Sequence, residues 1–243
     1  MLEPWRTGIV TKIINETAQT RRFWIQIPEV AQFDFIPGQF VTLDLPIHEK
    51  KNKRWRSYSI ASWPNQGNEI ELVIVLLEGG LGTTYLFTEI KVGSELLLRG
   101  PQGVFVLPQT MDRDIFLICT GTGIAPFRSM LHHIKGNNVL HQNLYLIFGT
   151  RTMSDCLYFD ELMNLQEDLP GYQYLPCLSR ESGESYSHIR KGYVHNVYEE
   201  ILEQNKVPAY FYLCGWKNMV DEAKARILAL GYDRKDIHLE LYG

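Results

Sequence analysis

Residues Thr120–Pro126 read TGTGIAP directly after the apolar run DIFLIC. A sharp turn leaving a buried strand needs residues without bulky side chains, and Gly121 and Gly123 let the backbone approach a ligand closely. Pro126 has the fixed φ of a first helical turn and gives up only an amide that would be unpaired there. The remaining amides and the positive end of the helix dipole face the turn, a natural place for a pyrophosphate. The same residues would also serve a bare strand-to-helix connection. Neither the phosphate loop GxxxxGK[ST] nor the fingerprint GxGxxG fits, because Pro126 stands where the latter has its third glycine.

A second cluster lies upstream, Arg56-Ser57-Tyr58-Ser59. On an extended strand Arg56 and Tyr58 point one way and Ser57 and Ser59 the other. One face then offers a guanidinium fork for phosphate and an aromatic plane for a flat ring. An isolated strand with a solvated arginine would read the same. Lys50, Lys51, Lys53, Arg54 and Arg56 crowd seven consecutive positions, which makes either a solvated loop or a surface that attracts an acidic partner. Metal chemistry is not expected. His132 and His133 are adjacent and diverge on a helix, HExxH is absent, and Cys119, Cys156, Cys177 and Cys214 form neither CxxC nor a ferredoxin-type grouping. Apart from Cys214, they read as buried thiols in a reducing compartment.

The elements that must position these groups change character along the chain. From Trp5 to about Leu107 short β-rich runs alternate with turns: GIVTKII, RRFWIQI, QFVTLDL, RSYSIAS, EIELVIVLL and SELLLRG. Such spacing predicts a small antiparallel barrel or sandwich. GTTYLFTEI interrupts the pattern and predicts a short helix capped by Thr83 or Thr84. After residues 108–112 strands and helices alternate. DIFLIC, NLYLIFG, YQYLPCL, AYFYLCG and DIHLELY are separated by helical segments near Ala125–Lys135, Asp155–Asp168, Val194–Gln204 and Asn218–Leu230. This order predicts a parallel sheet of about five strands covered on both faces. Ligands of such sheets gather at the carboxyl ends of the strands, where TGTGIAP, GTR, LSR and CGW all fall.

The totals agree with two ordinary globular domains. The chain has 243 residues, 45% apolar and 21% charged, with net charge −4, enough for two cores of about 100 to 130 residues each. The charge offers no general attraction to nucleic acid or anionic lipid. MLEPWRTGIV lacks the apolar segment of a signal peptide and no run approaches the roughly 18 apolar residues of a membrane span, so a cytoplasmic location is the default expectation.

Six motifs in order carry a resemblance over essentially the whole chain: FIPGQF (35–40), RSYS (56–59), GGLGTTYL (79–86), RGPQGVF (99–105), TGTGIAPF (120–127) and CGWKNM (214–219). Together they resemble the ferredoxin–NADP+ reductase family. The resemblance implies an antiparallel β-barrel flavin-binding domain, residues 1–108, followed by an α/β parallel-sheet NADP(H)-binding domain, residues 109–243. It implies FAD held by Arg56, Ser57, Tyr58, Ser59, Gly82, Thr83 and Thr84, with Ser59 near the flavin N5. FMN stays open. Thr120, Gly121, Thr122 and Gly123 would hold the pyrophosphate of the nicotinamide nucleotide, with Cys214 and Gly215 beside the nicotinamide. Arg151, Ser179, Arg180 and Arg190 match positions that take the 2′-phosphate of NADPH.

Glu240-Leu241-Tyr242-Gly243 resembles the family's Glu-x-aromatic end, in which the ring covers the flavin. The glycine after Tyr242 departs from members that end on the ring, and a core role for Tyr242 is the alternative. The implied activity is that of a ferredoxin/flavodoxin–NADP+ reductase-type oxidoreductase. Ser59, Cys214, Glu240 and Tyr242 would form the catalytic group, NADPH would pass hydride to FAD, and single electrons would leave for an external acidic carrier, ferredoxin or flavodoxin, docked near Lys51 and Lys53. An NADH-dependent reductase serving an oxygenase or cytochrome, a slow flavin- and nucleotide-binding redox sensor, and a plain nucleotide-binding module without flavin are the alternatives.

Overall fold

The computed structural model describes residues 3–181, 189–204 and 206–242. It divides into two compact units. One comprises residues up to Val106 together with Arg128–His133, the other Leu107–Phe127 together with residues from Ile134 onward.

The first unit is built from β1 (Trp5–Asn15), β2 (Thr20–Gln26), β3 (Phe40–Asp44), β4 (Trp55–Ser59), β5 (Glu69–Val75) and β6 (Glu95–Gln102), in the order β4-β3-β6-β1-β2-β5. Every pairing is antiparallel. Alternation decides which face is buried: Leu96 and Leu98 of β6 enter the core with Phe23 and Ile25 of β2, while Glu95 and Leu97 stay exposed. Each large apolar side chain so buried stabilises the unit by about 1.5–3 kcal/mol relative to exposure. The row of strands closes on itself just beyond β4. An Ile60–Leu72 bridge and a hydrogen bond from Ala61 N to Glu71 O, 2.8 Å, join its two ends.

Between β5 and β6 lies α1 (Leu81–Thr88). Its N-cap is Gly80, with no side-chain cap, rather than Thr83 or Thr84. The reason is local. The Thr83 hydroxyl turns back into the preceding loop, accepting from Leu77 N at 3.1 Å and donating to Gly80 O at 3.2 Å.

The second unit holds β7 (Asp114–Thr120), β8 (Leu144–Thr150), β9 (Tyr172–Leu178), β10 (Arg190–Lys191), β11 (Ala209–Trp216) and β12 (Ile237–Tyr242), in the order β10-β9-β8-β7-β11-β12. All of these pairings are parallel. The sheet thus has six strands rather than about five, because β10 is two residues long and too short to carry an apolar pattern. The helices are α2 (Ile124–Gly136), α3 (Phe159–Asp168), α4 (Val194–Gln204) and α5 (Lys217–Ala229). Helix α3 starts four residues later than its pattern suggests. Met153–Asp155 forms a separate 3-10 turn, and Tyr158 takes a left-handed φ of 54° that resets the chain direction. Val197 and Tyr198 of α4 and Val220, Ala223 and Ile227 of α5 pack with Phe116, Ile118, Phe211 and Leu213 of the sheet.

The strand order reverses between β7 and β11. In open parallel sheets the crevice outside the strand ends at such a reversal is where ligands bind.

Candidate functional site

Each unit gathers its own set of groups. In the barrel, Arg56 and Tyr58 stand opposite Leu43 and Val41 of β3, and Ser57 stands opposite Thr42. Ser57 is exposed and lies 3.1 Å from the Thr42 hydroxyl, while Arg56 and Tyr58 are half-buried. Arg56 is pre-positioned by its own backbone: Nη1 donates to Trp55 O at 2.8 Å and Lys53 O at 3.1 Å. Its stem lies along α1, where a Cβ added to Gly82 would come 3.0 Å from Arg56 Cγ and 3.2 Å from Nε. The bare Gly82 leaves room for the Arg56 stem against the first turn of α1, and a phosphate suits a cation beside the first amides of a helix.

Burial pushes the Tyr58 phenol up to about 12, against a smaller opposing pull from Arg56, so the ring is neutral at physiological pH and offers a plane rather than a charge. Ser59 is buried at the end of β4. Thr84 is exposed at the start of α1, whereas the hydroxyl of Thr83 is engaged in the loop.

In the second unit the turn after β7 is packed onto the end of β11 by missing side chains. Gly121–Gly123 form a 3-10 turn, and Thr122 stays half-buried on it. A Cβ on Gly123 would run into the carbonyl of Cys214, and one on Gly215, where φ is +138°, into the Thr120 hydroxyl. Thr120 Oγ1 accepts from Trp216 N at 3.4 Å. The backbone of the turn and of residues 214–216 thus form one continuous surface at the strand reversal. It is a cradle that any side chain would fill, and it suits a pyrophosphate approaching backbone amides.

Cys214 faces Cys119 on β7 and Glu240 on β12 in register. Its thiol is pushed well above the ordinary range, first by burial and then by the Glu240 charge, with a hydrogen bond from Tyr242 opposing. It is a neutral thiol, suited to packing and unsuited to nucleophilic or acid–base work near neutral pH. The last two expected residues therefore meet Cys214 within this unit: Glu240 opposite it and Tyr242 through its hydroxyl. Gly243 lies outside the described residues.

The arginines expected near one another divide. Ser179 N donates to Thr150 O at 3.0 Å and Arg180 N to Arg151 O at 2.8 Å, which extends the β8–β9 ladder and sets Arg151 and Arg180 side by side. Both are exposed. Arg190 sits on β10 and is engaged in an ion pair with Glu200 at 2.5 Å. In the basic loop, Lys50, Lys51 and Lys53 are exposed, while Arg54 pairs with Asp44 at 2.7 Å. Sequence reasoning missed Trp216, 49% exposed, whose indole nitrogen would lie 3.8 Å from a Cβ on Gly121. Its only signal is its place after Gly215. Among the described residues no cluster of His, Cys, Asp or Glu is placed to hold a metal ion, and no helix is long and apolar enough to cross a membrane.

Two family models match the chain, one largely on each unit. Residues 7–107 match the oxidoreductase FAD-binding domain and residues 117–225 the oxidoreductase NAD-binding domain. Ferredoxin–NADP reductase B of Sorangium cellulosum is 36% identical over 219 residues, covering 86% of each chain. This chain belongs to the ferredoxin–NADP reductase family. It is therefore a flavin- and nicotinamide-dependent oxidoreductase of an electron-transfer family, the flavin domain in its barrel and the nicotinamide domain in its parallel sheet.

Other members of the family differ in length. The electron transfer component of anthranilate 1,2-dioxygenase from Acinetobacter baylyi is 31% identical over 80% of this chain, which spans only 54% of that protein. Among the solved structures, the ferredoxin–NADP+ reductase of Neisseria gonorrhoeae, with FAD and NADP bound, shares the fold at a TM-score of 0.79, with 24% identity and 98% of both chains covered. The Amycolatopsis cytochrome P450 reductase GcoB shares it at 0.85, also with 24% identity, over 98% of this chain and 70% of that one.

Proposed function

We propose that the chain is an NADPH-dependent reductase that delivers electrons singly to a separate acidic carrier, ferredoxin or flavodoxin. The observation that carries the nucleotide preference is the pairing of Arg151 with Arg180 at the ends of β8 and β9. Neighbouring backbone positions at the strand ends that both carry an exposed arginine suit a 2′-phosphate dianion, a group NADH lacks. Ser179 completes that end, and Arg190 joins it only by leaving Glu200.

Residues 1–108 would hold FAD and residues 109–243 the nucleotide. Arg56, Gly82, Thr83 and Thr84 bind the flavin diphosphate through the guanidinium and the first amides of α1. Tyr58 stacks on the flavin ring and Ser57 fixes the strand through Thr42. Thr120, Gly121, Thr122, Gly123 and Gly215 take the nucleotide pyrophosphate on backbone. Ser59 beside the flavin and Cys214 beside the nicotinamide are neutral groups, Glu240 flanks Cys214 from β12, and Tyr242 holds that thiol through its hydroxyl. When bound, FAD supplies the two-electron to one-electron conversion. What the protein contributes is the orientation of each ring on its own unit.

Lys50, Lys51 and Lys53 support the acidic carrier, since none of the three is engaged in an ion pair among the described residues. Steering by such charges weakens as salt screens them. Carrier reduction should slow with rising ionic strength, and more steeply in the wild type than in a Lys51→Gln/Lys53→Gln variant. Rates indifferent to salt and to both substitutions would refute the carrier site. A second reading, the reductase component of an oxygenase, is favoured by relatives such as the anthranilate dioxygenase component. Catalytic efficiency with NADH equal to that with NADPH would select it.

A further inference from the structure

The seam that closes the barrel is short and polar. It consists of the Ile60–Leu72 bridge, the Ala61 N to Glu71 O bond at 2.8 Å, and a bond from Glu71 N to Ser62 Oγ at 2.9 Å. Glu71 sits at its centre, 2% exposed. Both oxygens of its carboxylate are held, Oε1 by Arg22 Nε at 2.6 Å and Oε2 by Arg128 Nη1 at 2.9 Å. Arg128, 4% exposed, belongs to the part of α2 that counts with this unit. The same Nη1 donates to Ala61 O at 2.9 Å, and the guanidinium lies 5.1 Å over the ring of Trp63. These contacts bracket residues 60–63, and the residue immediately before them is Ser59.

Apolar residues of similar volume would close a barrel at least as well as a buried ion pair. What a guanidinium fork adds is direction: it fixes a carboxylate and a peptide carbonyl in one plane. None of the roles proposed above uses Glu71 or Arg128. We infer that Arg128 and Glu71 are positioning residues for the redox reaction, which hold the exit of β4 and so fix the Tyr58 face of that strand and the position of Ser59 at its end. The inference rests on the reading that this face takes the flavin.

The test compares wild type with Arg128→Met, Arg128→Lys, Glu71→Gln and the core truncation Ile70→Val, all well below their unfolding temperatures. Three quantities are read: amide hydrogen exchange at Ala61 in flavin-free protein, the visible spectrum of the flavin-loaded protein, and the limiting rate of flavin reduction by NADPH. Misplacement of reacting groups by about 1 Å costs on the order of 100-fold in rate. Arg128→Met should therefore lower the limiting rate about 10- to 100-fold without changing its NADPH concentration dependence, shift the flavin band, and speed exchange at Ala61. Arg128→Lys should recover part of the rate, and Ile70→Val should lose stability but not rate.

Should Arg128→Met not fold, Glu71→Gln, which keeps the volume and one acceptor, is read in the same way. A wild-type limiting rate and flavin band in the variants, or rate losses that follow unfolding midpoints across the whole set, would overturn the inference while leaving the functional reading intact. A wild-type protein that takes up no flavin would overturn both.

Discussion

The barrel and the parallel sheet prepare their proposed phosphate sites by opposite means. In the barrel the work falls to side chains: the Arg56 guanidinium is anchored on its own backbone, the Tyr58 ring is kept neutral by burial, and Gly82 merely yields space to a flexible stem. At the strand reversal of the sheet the work falls to missing side chains, with Gly123 and Gly215 letting two stretches of backbone touch. Flexible atoms can move aside for an added methyl group and backbone cannot. The two sites should therefore respond very differently to the same substitution.

The largest effect is expected at Gly123→Ala. Its Cβ meets the Cys214 carbonyl, so overpacking should cost about 1–3 kcal/mol. Displacement of the turn should cut nucleotide-driven flavin reduction on the order of 100-fold, as read by denaturant melts and rapid mixing. Next comes Arg56→Ala. A hydrogen bond to a charged group contributes about 1.5–3 kcal/mol, so flavin should bind about 10- to 100-fold more weakly in a fluorescence titration. Arg180→Ala should lower kcat/KM for NADPH about tenfold with little change for NADH, a loss of about 1.4 kcal/mol. Gly82→Ala, the mirror of the first test, should leave flavin affinity within about threefold, because only the Arg56 stem must shift. A loss as large as that of Gly123→Ala would break the contrast.

The smallest effect concerns pH. Burial lowers His195, His133 and His238 below the ordinary value of 6.5. For His195, burial outweighs the Glu222 carboxylate 3.5 Å away, so that contact joins a neutral ring to a carboxylate. A histidine held neutral in the fold contributes stability that is present above its unfolded value and is lost as pH falls through and below it. The unfolding midpoint should drop by a few degrees between about pH 7.5 and about pH 5.5, and by less in His195→Gln.

What the chain makes readable is what repeats. The six barrel strands show in alternating patterns such as Glu95–Arg99, and α5 shows in the spacing of Val220, Ala223 and Ile227. The motifs at Arg56, Gly121 and Cys214 are legible because glycines and charges interrupt those patterns. The strand β10 escapes because two residues hold no period. Thr83 misleads because a hydroxyl near a helix start can serve the loop as readily as the cap. The Arg190–Glu200 pair and the grip of Arg128 on Glu71 join residues whose separation in sequence, 10 and 57 positions, obeys no helical or strand rule. Contacts of that kind are set by tertiary packing alone.

The proposed function needs FAD bound by the barrel and NADPH bound by the sheet, with the 2′-phosphate read by Arg151 and Arg180. The visible spectrum of the purified, flavin-loaded protein, titrated anaerobically with NADPH and separately with NADH, tests it most directly. The expected result is a yellow protein whose flavin band bleaches rapidly at low NADPH and only at much higher NADH. A colourless protein, or an oxidised band that persists in excess NADPH, would contradict it.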